Sequence, residues 1–402
     1  MTETLALTVS LFLIGALHTM IFGTFQYPSN FTLDDPNFKH LAIYSKVILY
    51  GSAVTASFCY PIICRFLGLK YGLIGGLTLN LLGLLFLWIN QGLGGHVAFY
   101  FLDMLFFGTA LTSVINVLIT YIILKFPNRT GAGITALFAV LNGGLMLAPL
   151  MIGIFNDLSI NDVIFPFLML LTLLSIWHVE EKMYDPPFPS HLRHLRKGTL
   201  IWKELHYRLA LFLLAIISYG MIESSFTMWG FGYFAQQLGQ AIALETIPVF
   251  YLFMIIGQIL LLVPLYFYSP KKIFFGLLAI IAGALYFLFQ QQHLSGFLAG
   301  FALGGIGCSA IFPIMISMME RELIRVARGS HILPYIETGG SVLIGGYIFG
   351  GAFNDLWIGV LNEKGASSHF HLGVGLGLVV VTGVIAFILN LTRPREKKNP
   401  FP

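Results

Sequence analysis

The chain has 402 residues, of which 57% are hydrophobic and only 10% charged, a composition that excludes an ordinary soluble domain. Its apolar runs are about 18–25 residues long and nearly free of charge, the length of a helix across about 30 Å of hydrocarbon, whereas barrel strands are about ten residues of alternating polarity. The net charge of +4 comes from Lys and Arg gathered in particular loops, so it reads as a topology signal and not as a nucleic-acid patch.

An all-α membrane protein of about twelve transmembrane helices follows, with spans expected at 5–27, 41–64, 71–89, 97–124, 131–155, 162–178, 208–236, 245–267, 273–290, 294–319, 330–354 and 370–392. The first span has no small-residue cleavage site and reads as a retained helix that carries His18. Asn30-Phe31-Thr32, in the loop after it, is a weak glycosylation sequon. The second helix carries Lys46 and the fourth carries Asp103, each about one and a half turns inside the same end, so a buried structural or gating pair is expected. The second helix ends at Arg65 and Lys70.

Asn116 in the fourth helix, Asn142 before Gly143-Gly144 in the fifth and Gln258 in the eighth are candidate polyol ligands, because amides offer paired donors and acceptors. Each also suits a plain interhelical tie. The seventh helix contains Tyr219-Gly-Met-Ile-Glu-Ser-Ser-Phe-Thr-Met-Trp229. Its Glu223 sits deep in an apolar run, where an acid costs roughly 2.5–3.5 kcal/mol on insertion scales and marks a functional site by default. Trp229 offers an indole face to a sugar. Lys271 and Lys272 precede the ninth helix, and Glu337 follows Pro334 in the eleventh, either lining a cavity as a second titratable site or pairing with a basic residue of the gate. The paired glycines at 339–340, 345–346 and 350–351 favour close helix contact.

Cys59, Cys64 and Cys308 have neither the number nor the spacing of a metal or redox site, and His191 with His194 belongs to a basic stretch better suited to an interfacial helix than to a metal pair. No cofactor is implied. Basic residues fall almost entirely on one side: Arg65, Lys70, Lys125, Arg129, the 179–207 loop, Lys271, Lys272, Arg321, Arg325, Arg328 and the carboxy-terminal tail. Only Lys39 and Lys364 lie in the opposite loops, which places both termini in the cytoplasm.

The sequence is also internally repeated. Residues 129–157 and 328–355 each open on Arg, carry a mid-span Gly-Gly and close on Phe-Asn-Asp, at 155–157 and 353–355. Residues 61–72 and 264–276 echo each other at a similar offset, each running from Pro through basic residues to Gly. The chain therefore reads as a six-helix bundle (1–178), a cytoplasmic linker (179–207) and a second six-helix bundle (208–402) in the same orientation. Such parallel repeats hold a binding site near the bilayer midplane between the halves.

These features resemble the major facilitator superfamily over nearly the whole chain, and "RFLGLKYG" (65–72) is similar to that superfamily's basic turn after the second helix, without its usual acid. "SAIFPIMISMM" (309–319), followed by "RGSHILPYIETGGS" (328–341), is similar to the fucose–proton symporter branch. The resemblance implies the major facilitator fold, a small-molecule solute, proton coupling and transport by alternating access. That branch carries an acid in the first helix and another in the fourth; here His18 and Thr19 stand near the first place and Thr112 or Ser113 at the second. Fucose transport through that pair of acids is therefore not expected.

Glu223, Glu337 and His18 are accordingly the candidates for proton coupling, and Glu223, Asn116, Asn142, Trp229 and Gln258 those for solute binding. Lys46, Asp103, Arg65, Lys70, Lys271 and Lys272 are the structural or gating candidates. The expected function is a proton-coupled transporter of a small polar solute, sugar favoured, acting as a monomer in the cytoplasmic membrane. Two alternatives remain: an exporter of amphipathic compounds, and a transporter-like sensor that no longer cycles. No catalytic constellation suggests an enzyme.

Overall fold

The structure, a computed structural model, describes residues 2–26, 36–92, 96–126, 130–155, 158–183, 199–229, 240–267, 270–291, 293–327, 333–363 and 368–391. Among them every regular element is helical: α1 (Thr2–Gln26), α2 (Pro36–Leu67), α3 (Leu69–Gly92), α4 (Val97–Lys125), α5 (Thr130–Phe155), α6 (Leu158–Lys182), α7 (Thr199–Ser224), α8 (Gln240–Phe267), α9 (Pro270–Phe289), α10 in two pieces (Leu294–Cys308 and Ile311–Ala327), α11 (Leu333–Glu363) and α12 (Ser368–Leu391). A π-helical turn, Ser225–Trp229, continues α7. Ten of the described helical segments are long and apolar enough to cross a bilayer. In hydrocarbon the backbone must satisfy itself, which is why the chain spends these runs as helices. This is an integral, multi-pass membrane protein.

The helices pair in a pattern that repeats every six. α1 packs on α5 as α7 packs on α11, α2 on α4 as α8 on α10, α3 on α4 as α9 on α10, and α3 on α6 as α9 on α12. Helices α1–α6 meet α7–α12 chiefly where α2 lies on α11 and α5 on α8. These two contacts are also related by the six-helix offset, so they flank a central axis.

Small residues let the backbones approach at matched places. A Cβ on Gly108 of α4 would stand 2.0 Å from the Leu49 carbonyl oxygen of α2, and one on Gly305 of α10 would stand 2.4 Å from the Phe250 carbonyl oxygen of α8. The same device joins α5 to α1, where Gly144 faces the Ala16 carbonyl, and α11 to α7, where Gly350 faces that of Ile217. Between α2 and α3 the chain turns on Gly68, whose φ of 88° only glycine adopts cheaply. Its N–H caps α2 on the Cys64 carbonyl at 2.8 Å.

Because the obstacle at Gly108 is backbone and not a movable side chain, Gly108→Val must separate α4 from α2. Overpacking of this kind costs roughly 1–3 kcal/mol, so the thermal unfolding midpoint of the detergent-purified variant should fall by several degrees.

Candidate functional site

Between the two sets of helices lies a cavity of about 140 Å³; an apolar cavity near 150 Å³ holds a single benzene ring. Its wall is contributed by α1, α2, α4 and α5 from one side and by α7, α8, α10 and α11 from the other. Aromatic faces dominate it: Phe22, Tyr50 and Phe138 opposite Tyr251, Phe312 and Tyr347. Phe312 touches both Phe138 and Tyr347, with ring centroids 4.9 Å apart in each pair, so one aromatic strip runs across the interface. The polar atoms come from Thr19, Asn142, Glu223, Ser224, Thr227 and the tyrosine hydroxyls. Among the described lining residues none is basic.

Glu223 is the cavity's only described acid. Its Oε1 accepts a hydrogen bond from the Tyr347 hydroxyl at 2.6 Å, and the Tyr347 ring stacks on Tyr219, whose own hydroxyl donates to the Cys308 carbonyl. Directly after Glu223 the helix changes from α to π bonding, a departure that gathers at functional sites. The carbonyls at the change find side-chain partners: Met221 O accepts from Ser225 Oγ at 2.8 Å and from Asn354 Nδ2 at 2.9 Å.

Polar bonds close the interface to either side of the cavity. On α11 the lining positions run from Ile344 to Gly351. Beyond their carboxy-terminal end, Asp355 Oδ2 pairs with Lys46 Nζ of α2 at 2.9 Å. Beyond their amino-terminal end, the Ser341 carbonyl accepts from Ser57 Oγ of α2 at 2.6 Å. On the latter side Thr130 Oγ1, at the start of α5, also donates to the buried Glu320 of α10 at 3.1 Å. At cavity depth, Asn142 Nδ2 donates to Gln258 Oε1 at 3.2 Å, joining α5 to α8.

The expected Lys46–Asp103 pair is therefore corrected to Lys46–Asp355. Lys46 and Ser57 are eleven residues apart, about three helical turns, so both face α11, and Asp103 is reached by neither. Asp103 is fully buried on α4 with no ion pair among the described residues. Of the solute candidates, Asn142 and Glu223 line the cavity. Gln258 stands behind Asn142 as its partner, and Asn116 is turned to the Thr112 carbonyl (2.8 Å) and Ser57 Oγ (3.4 Å) of its own side. His18 is buried one position from the lining residue Thr19 but is not itself in the wall.

Lys70 bonds Glu180 of α6 through both its carboxylate (3.1 Å) and its carbonyl (2.6 Å), tying α3 to α6. Lys271 and Lys272 open α9, the second of them exposed. Glu337 and Trp229 fall in helices, but their side chains, like that of Arg65, lie outside the described residues, as do His191 and His194 altogether.

Sequence reasoning missed Tyr251, Tyr347, Asn354, Asp355 and Glu320. The signal for Asn354 and Asp355 is the repeated Phe-Asn-Asp, whose polar residues read in sequence as the end of a span. α11 instead continues to Glu363, which puts both inside a helix.

No protein-family model and no curated protein sequence matches the chain. Solved structures do. FucP, the E. coli fucose:proton symporter, in its outward conformation superposes with a TM-score of 0.76 at 14% identity over 96% of this chain and 98% of that one. The proton:xylose symporter XylE gives 0.75 at 12% identity over 96% of each chain. The human organic anion transporter MFSD10 gives 0.72 at 13% identity over 95% and 98%. The chain thus has the fold of the major facilitator superfamily transporters.

Asp355 is mostly shielded while Lys46 is about a quarter exposed, so removing Lys46 leaves a shielded carboxylate unpaired, at a cost of about 1–3 kcal/mol. Lys46→Met and Asp355→Leu should each lower the unfolding midpoint, and the double variant should lose much less than the sum. Lys46→Met combined with Asp103→Asn should instead be additive.

Proposed function

We propose that this chain is a secondary transporter that carries one small polar solute per cycle by alternating access, with Glu223 binding the coupling proton. The observation that carries this reading is the placement of Glu223: a buried acid on the wall of the cavity between the two sets of helices, held by a neutral tyrosine hydroxyl. A carboxyl with no basic neighbour in its cavity exchanges its charge by taking up a proton, and an acid inside a membrane is retained for such work.

In this reading residues 1–178 and 208–402 are the moving bundles and 179–207 joins them. The termini and the basic loops face the cytoplasm, in the cytoplasmic membrane of a cell, and the monomer is the working unit. The chain is a carrier and not an enzyme. Sugars are the favoured solute: the cavity suits a single ring, aromatic faces stack on sugar C–H surfaces, and the hydroxyls of Ser224, Thr227 and the tyrosines with the Asn142 amide meet a polyol's edge. The names of FucP and XylE as proton-coupled sugar symporters support the same class.

A second reading, export of amphipathic compounds, is favoured by the Phe22, Phe138 and Phe312 faces and by the presence of one amide in the lining where a dedicated polyol site would gather several. Binding separates the two, because a ligand raises the unfolding midpoint by mass action. A panel of monosaccharides and of amphipathic compounds should give stabilisation by a sugar; stabilisation by the amphipathic compounds alone would transfer the site to the second reading.

In proteoliposomes loaded with the stabilising compound, Glu223→Gln should abolish accumulation driven by a pH gradient while leaving exchange of labelled for unlabelled solute near the wild-type rate. Full accumulation by that variant would remove Glu223 from coupling.

A further inference from the structure

Asn354 and Asp355 are neighbours in sequence but serve different faces of α11. Adjacent residues on a helix point about 100° apart, which sends one side chain to α7 and the next to α2. The Asn354 amide nitrogen lies 2.9 Å from Met221 O, 3.1 Å from Ser224 Oγ and 3.0 Å from Ser225 Oγ, three acceptors sharing its two protons at the point where α7 turns from α to π bonding. Asp355 Oδ2 meets Lys46 Nζ at 2.9 Å. Two turns back along α11, on the face of Asn354, Tyr347 holds the Glu223 carboxylate. Between these grips the two backbones are in contact: a Cβ on Gly220 of α7 would stand 2.3 Å from the Tyr347 carbonyl oxygen. A displacement of this end of α11 is therefore passed to the turn behind Glu223 without slack.

We propose that Asn354 is the positioning residue for Glu223, holding the π-helical turn in the shape that presents the carboxylate to Tyr347 and to the cavity, and that through Asp355 this hold depends on the Lys46 bridge. Opening of the Lys46–Asp355 side and proton binding at Glu223 are then one coupled equilibrium, each altering the other by the same factor. The inference rests on the reading of Glu223 as the proton-binding group and adds to it the means by which the proton senses one side of the cavity.

Besides Asp355, next to Asn354 on α11, other titratable groups lie around Glu223. They are Tyr219 on α7, Tyr347 on α11, Tyr251 on α8 and Cys308 on α10; α12, which also packs on the π-helical turn, offers His371 among its described residues. Lys46 is not in the cavity wall; a direct field of Lys46 or of the unpaired Asp355 on Glu223 would persist when Asn354 is removed, whereas an effect passed along α11 would not.

The test is a thermodynamic cycle on the full chain in lipid, read by the infrared carbonyl band of protonated Glu223, identified by its loss in Glu223→Gln. Lys46→Gln should move the pH midpoint of that band by about one unit, a tenfold change in proton affinity. Asn354→Ala should move it as well, and in the Asn354→Ala background Lys46→Gln should have no further effect. A Lys46→Gln shift of undiminished size in that background, or no shift in either single variant, would overturn the proposal while leaving Glu223 as the proton site. A Glu223 band that does not titrate at all sinks both readings together. If Asn354→Ala does not fold, Ser225→Ala removes one acceptor of the same amide and should reduce the Lys46→Gln shift; an unreduced shift there also overturns the proposal. A purely structural Asn354 would change the unfolding midpoint and leave the cycle additive.

Discussion

An acid inside hydrocarbon must be neutral or closely partnered, and that constraint organises the polar skeleton of this protein. The described acids within or near its spans are met in different ways, and Asp103 is buried with no side-chain partner among the described residues. Glu223 receives a neutral hydroxyl from Tyr347, Asp355 a lysine from another helix, Glu320 a threonine from α5, and Glu322 the guanidinium of Arg208 at 3.5 Å, while Arg208 also donates to the Leu389 carbonyl. Ion pairs confined to one set of helices, such as Arg208–Glu322 and Lys70–Glu180, act as internal ties. Bonds that cross between the sets are the Lys46–Asp355 pair, Ser57 to the Ser341 carbonyl, Thr130 to Glu320 and Asn142 to Gln258.

The six-helix offset explains why those crossing bonds fall where they do. Contacts within α1–α6 and within α7–α12 follow one plan, and the plan leaves α2, α5, α8 and α11 on the inner faces. The close approaches at Gly108 and Gly305 lock equivalent pairs, α4 on α2 and α10 on α8, with no side chain between the backbones. The polar groups on α2, α5, α8 and α11 make the contacts between the two sets.

Much of this was legible in the sequence. Span lengths and the near absence of charge gave the helical class, the Phe-Asn-Asp echo gave the repeat, and the depth of Glu223 in an apolar run singled out the acid that proves to line the cavity. Partner choice was not legible. Lys46 and Asp103 share a depth, but depth is one coordinate; the second is the direction around the helix, fixed only by which neighbour packs on that face. Asn116 left two readings open for the same reason, and of these the structure shows the tie, to Ser57 and to its own helix. The tyrosines escaped notice because an aromatic residue in a membrane helix has the same signature whether it faces lipid, a neighbouring helix or a cavity. Tyr286 is exposed on the outer surface while Tyr347 is in the wall, and nothing in their local sequence separates them.

The two sides of the cavity are closed by chemically different bonds. On the Asp355 side the closure is an ion pair at the edge of the described lining, with Lys46 about a quarter exposed. On the other side it is made of hydroxyls: Ser57 to a backbone carbonyl and Thr130 to Glu320. An ion pair near water loses little when it opens, since each charge regains solvent as the attraction is lost. A buried hydroxyl or acid left without its partner pays the full desolvation cost, about 1–3 kcal/mol or more for a charged group. A ligand can move such an equilibrium only by binding one form more tightly than the other. The aromatic strip through Phe138, Phe312 and Tyr347 spans both sets of helices, so a ring seated against it would touch both at once.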